Sequence, residues 1–184
     1  MFKTLDNKKG FSLVELLICL AILGVVLTAV YKLFISANKS QVAQDLEVEM
    51  QQNARSAADF LVREMRNIST ISCLDNTTTA CSPDTDKIIF TSMSDSNTRI
   101  FSWSATDNIL QFSAAPDGSP NRQPLTDNIT ALTLSPYDAG NNSTTTLGSV
   151  QRIDISLTTR TARPDPNTGT FRTYSFKTSV VKRN

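Results

Sequence analysis

Leu13-Val14-Glu15-Leu16-Leu17-Ile18-Cys19-Leu20-Ala21-Ile22-Leu23-Gly24-Val25-Val26-Leu27-Thr28-Ala29-Val30-Tyr31 is a run of about twenty residues with one charge, Glu15. As a helix it is long enough to cross a hydrocarbon layer of about 30 Å. Lys3, Lys8 and Lys9 stand before it, so the positive-inside rule places the N-terminus in the cytoplasm and translocates the chain beyond Lys32. A secretory signal peptide is the competing reading, but the run exceeds an ordinary signal core and no small-x-small cleavage site comes after it. Glu15 is the energetic oddity, because a carboxylate at mid-bilayer costs about 2.5–3.5 kcal/mol and less near an end. Ser12 three residues earlier offers a capping box, with Ser12 as N-cap and Glu15 reaching back to its N–H.

Outward from this run, composition narrows the function. The 184 residues carry a net charge of +1, and without the first ten residues the balance is 15 basic to 16 acidic. That near-neutral body makes no electrostatic case for nucleic acid. The absence of histidine removes Ser-His-Asp and Cys-His catalysis and every histidine-containing metal site. The chain is therefore read as a non-enzyme without a metal or other cofactor. Cys73 and Cys81 lie close together in a polar stretch, as a disulfide or a metal half-site would. With no other cysteine or histidine outside the apolar run, a disulfide is expected, which places this part in an oxidising compartment.

The helical pattern continues past Lys32, with no proline before Pro83 and only Gly24 between Gly10 and Gly118. Val42, Leu46, Met50, Ala54, Ala57, Leu61, Met65 and Ile68 recur at steps of three and four and form one apolar stripe. A helix from Phe11 to Ile68 is about 85 Å long, its second half burying the stripe against a globular part. From Ser69 the composition turns to Ser, Thr, Asn and Asp with short β-type runs. Strands are expected at Lys87–Ser92, Arg99–Ser104, Ile109–Ser113, Ile129–Ser135, Val150–Thr159 and Phe171–Val181. The last two form a hairpin across the Pro164–Gly169 loop, and one antiparallel sheet on the stripe gives an α+β head. The acidic groups at Asp84/Asp86 and Asp138–Asn142 lack EF-hand spacing and read as turns. Trp103 and Tyr137 read as core or sheet-face residues.

Lys9-Gly10-Phe11-Ser12-Leu13-Val14-Glu15-Leu16-Leu17 resembles the processing site of type IV prepilins and type II secretion pseudopilins. The stretches Gln51–Arg55 and Asp59–Arg66, and less specifically the two last strands, are similar to PilW-type minor pilins and the related J-type minor pseudopilins. The resemblance implies a pilin-like fold and cleavage between Gly10 and Phe11 by an inner-membrane prepilin peptidase. It also implies N-methylation of Phe11 and pairing of Glu15 with the new amine of a neighbouring subunit. The expected organisation is a leader (1–10), a membrane and filament-core helix (11–31), a helical stalk (32–69) and a periplasmic or extracellular head (70–184).

The expected function is that of a minor pilin that primes assembly or forms the tip. Other minor and major pilins and the inner-membrane assembly platform are the implied partners, and the inner membrane and then the pilus surface the implied location. A type II secretion minor pseudopilin is the close alternative. A membrane-anchored periplasmic binding module that keeps its leader is the alternative of another class.

Overall fold

Ser12 opens the described part of the chain, which in this computed structural model comprises residues 12–75, 77, 81, 86–115 and 121–182. Its carbonyl accepts the N–H of Leu16 at 3.2 Å, closing the first turn of α1 (Leu13–Met65). Eight strands come after it: β1 (Ile68–Leu74), β2 (Asp86–Ser92), β3 (Thr98–Ser104), β4 (Ile109–Ala115), β5 (Gln123–Thr126), β6 (Ile129–Tyr137), β7 (Arg152–Arg160) and β8 (Thr173–Val181). A short 3-10 turn, Leu147–Ser149, precedes β7. One long helix packed on antiparallel sheets makes the chain α+β, with a pilin-like architecture. The chain divides into two compact units, Met1–Val42 and Ala43–Asn184.

In the first unit, every described residue is exposed, from Ser12 through Val42. In the second, the helix buries Ala43, Met50, Ala54, Ala57, Ala58, Leu61 and Met65. These recur at steps that keep them on one helical face, and the small side chains of Ala54, Ala57 and Ala58 allow close approach. Two positions of the expected stripe depart from it. Val42 is exposed while its neighbour Ala43 is buried, and Ile68 is buried as the first residue of β1, not as the end of the helix. The helix stops at Met65, and the turn at Arg66–Asn67 feeds directly into a strand.

The expectation of a single sheet is corrected. β1 through β5 form a five-stranded meander in chain order, and β6, β7 and β8 form a separate three-stranded sheet. The break falls at Asp127-Asn128, where Asn128 has φ 59° and turns the chain sharply. Asn108 holds the corner by accepting the N–H of Ile129 at 2.9 Å, and Asn128 accepts that of Arg160 at 2.9 Å. Trp103 adds a tie between the sheets, donating its indole N–H from β3 to the carbonyl of Ile129 at 2.9 Å. One core serves both sheets and the helix: Leu61 and Met65 cluster with Phe90, Phe101 and Leu110 of the first sheet and Leu134, Ile155 and Leu157 of the second.

Two strands lay beyond the sequence reading. β1 is interrupted by register shifts between Ile68 and Thr70 and between Ile71 and Cys73, which erase its alternation. β5 is only four residues long and contains Pro124, which an edge strand tolerates because it bonds to a neighbour on one side alone. β6 likewise runs two residues beyond the expected Ser135, through Pro136, on the edge of its sheet. β7 and β8 pair across all nine residues in an unbroken register, as the expected hairpin does.

Candidate assembly segment and the head beyond it

Gly10 and Phe11 lie outside the described residues. Glu15 stands in the first turn of α1, near the end of the helix whose backbone N–H groups have no intrahelical partner. Around it the helix presents apolar side chains in every direction: Leu13 is 76% exposed, and Leu16, Leu17, Ile18, Leu20, Ile22 and Leu23 all lie open. A helix apolar on all sides is stable only in lipid or among other helices. The described residues hold one helix long and apolar enough to cross a membrane.

The segment is not uniform around its axis. Ala21, Gly24, Thr28 and Ala29 line a shallow groove on one side. Gly24 has open space where a Cβ would stand, Thr28 directs its hydroxyl back to the Gly24 carbonyl at 2.8 Å, and Lys32 lies at one end of the groove. A second groove, between Leu16, Cys19, Leu20 and Leu23, is almost entirely apolar. Chemically this segment can pack against other helices and offer one carboxylate near its start. It holds no catalytic constellation, and among the described residues no group of three or more His, Cys, Asp or Glu side chains is placed to hold a metal.

In the head, Cys73 and Cys81 are joined by a disulfide with Cα atoms 5.2 Å apart. Cys73 pairs with Ile89 and Leu74 with Ile88, so the bridge ties Cys81 to the end of β1. Tyr137 lies half-buried at the end of β6, with the Arg152 guanidinium 4.3 Å from its ring centroid. Asp138 closes its own loop: it accepts the Asn142 N–H at 2.8 Å, and Asn141 takes φ 65°. Backbone hydrogen bonding from Asn142 holds the Asp138 carboxyl below its ordinary range. Asp86 enters β2 through its backbone, and Asp84 lies outside the described residues.

One cluster had no signal in the sequence. Arg172, at the end of the β7–β8 connection, bonds Asp165 through Nε at 2.8 Å and Nη2 at 2.6 Å, and bonds Glu47 of α1 through Nη1 at 2.8 Å. The Asp165 side chain is 1% exposed. The Asn167 N–H, donating at 2.7 Å, and then Arg172 keep its carboxyl below the usual range. Hydrogen bonds to Asp165 in turn raise Arg172 above its ordinary value. The loop is thereby clamped to the helix. No periodicity marks such a site, since Glu47 and Arg172 are distant in the chain and each reads as an exposed charge.

Two comparisons with known proteins bear on the segment. No curated protein matches the chain. Residues 5–31 match the family model described as the prokaryotic N-terminal methylation motif, a type IV prepilin-like leader whose bearers are structural subunits and not enzymes.

Proposed function

We propose that this chain is a minor pilin subunit of a type IV pilus, of the PilW-like kind. The observation that carries the reading is continuity: the methylation motif over residues 5–31 runs into an exposed apolar helix, and that helix continues into an α+β head. Prepilin peptidase cuts between Gly10 and Phe11, and Phe11 becomes the methylated N-terminus. The freed helix moves laterally in the inner membrane toward the assembly platform. There Glu15 pairs with the Phe11 amine of a neighbour. Two charges that are each costly among apolar helices offset one another in one axial stagger, so the pair selects register. The Cys73–Cys81 disulfide supports a head on the oxidising side of the membrane.

A type II secretion minor pseudopilin would use the same leader and the same pairing. Mass spectrometry of the chain from its native membrane tests the shared mechanism: an N-methylated Phe11 terminus is expected. An intact Met1 overturns it and leaves a membrane-anchored binding module.

A further inference from the structure

The three-stranded sheet ends on β8, whose outer edge has no strand beside it among the described residues. Thr161 donates its N–H to the Arg172 carbonyl and Lys182 donates to the Gln151 carbonyl, so the even-numbered residues of β8 turn their backbone groups toward β7. Thr173, Ser175, Lys177, Ser179 and Val181 therefore direct their N–H and C=O groups away from the sheet.

The other edges are guarded. β5 is short and carries Pro124, and β6 carries Pro136 and a bridge between Tyr137 and Ser143. β1 is broken by two register shifts. β8 has nine residues in register, no proline and no bulge, and the one guarding device within it is Lys177. On the face they share with buried Val180, Tyr174, Phe176 and Thr178 remain half-buried.

We propose that the free edge of β8 is a docking site for an extended acidic segment of another protein chain, which adds as a fourth strand. Its backbone would pair with the five odd-numbered residues. Its inward side chains would be apolar and cover Tyr174 and Phe176, and an acidic side chain would face Lys177 on the outer face. Charge selects the occupant. Within β8 the one charged residue is Lys177, with Lys182 just after the strand, while Arg172 before it is already engaged by Asp165 and Glu47. Pairing β8 with β8 of a second copy brings two such strands together, and like charges across strands destabilise. The site belongs to the head alone and does not depend on the leader being cut.

The test uses the full chain in detergent micelles and two labelled nine-residue peptides of alternating Val and Thr. One carries a central Glu and the other a central Lys, and binding is read by fluorescence anisotropy. The Glu peptide is expected to bind about tenfold more tightly, the swing between an attractive and a repulsive cross-strand pair. Ser179→Pro removes an N–H that points away from β7, so it should leave the thermal melt in place and abolish binding. Lys177→Glu, a surface change, should reverse the preference and keeps the test decisive if Ser179→Pro does not fold. Binding of neither peptide, equal binding of both, or a preference indifferent to Lys177→Glu overturns the proposal and leaves Lys177 as a guard against pairing.

Discussion

Glu15 sets two requirements against each other at a single residue. Its carboxylate is disfavoured in an apolar layer, yet it is tolerable near a helix start, where the backbone N–H groups are unsatisfied. Removing the charge therefore does not harm insertion. Glu15→Leu is expected to reach the membrane fraction in normal amount and to be missing from sheared filaments; normal incorporation would refute the pairing role. Gly10 makes its own prediction, because a peptidase cutting there needs a small residue. Gly10→Ala should be processed, whereas Gly10→Trp should leave an uncut precursor visible as a slower band on an immunoblot.

Asp165 gives a pH prediction. Its folded-state carboxyl is depressed, by the Asn167 N–H and then by Arg172, so its contribution is complete above the unfolded value near 3.8 and is lost as pH falls below that. Asp95 and Asp138, each depressed first by a turn N–H, act in the same direction. Melting temperature should be flat from neutral pH to about 5 and should fall below about 4. Asp165→Asn should lower it at neutral pH and flatten part of the acid-side slope.

At the scale of elements, α1 was legible over most of its length. Its apolar run, its stripe from Met50 to Met65 and its freedom from proline are all local properties, and local periodicity survives folding. Its end was not legible. Ile68 continues the helical spacing, yet it is buried as the first residue of a strand, and a buried apolar side chain satisfies either pattern. Leu61, with no exposed surface, sits where the helix meets the core. Leu61→Ala should destabilise the head by about 3 kcal/mol, within the 2–5 range for a buried leucine, as read by denaturant unfolding at constant slope. A loss well under about 1 kcal/mol would mean that the site collapses around the deletion. Among the strands, β7 alternates cleanly between buried and half-buried residues and was visible from its sequence. β1 and β5 were hidden by bulges and by Pro124, and those features acquire meaning only from the strands beside them.

At the scale of the molecule, the disulfide and the sheet corner decide how the head closes. A bridge spanning eight positions contributes about 2–3 kcal/mol in the chain-entropy model. Cys73→Ser combined with Cys81→Ser should lower stability by that amount in the same unfolding assay. Reductant should shift the melt of the parent chain toward that of the double variant.

The sequence by itself determined the N-terminal methylation motif, the long apolar helix, the stripe that meets the head, the β7–β8 hairpin and the expectation of a Cys73–Cys81 bond. Each arises from residues near one another in the chain, or from residue types that are scarce. Only the tertiary structure decided that the strands divide into two sheets, that Arg172 clamps the loop through Asp165 to Glu47, and that no described strand lies on the outer edge of β8. The reason is physical. A strand's register and neighbour depend on distant segments, on a positive φ at Asn128 and on which hydrogen bonds the corner can satisfy. A charge becomes a clamp only when the fold brings its partner within 3 Å.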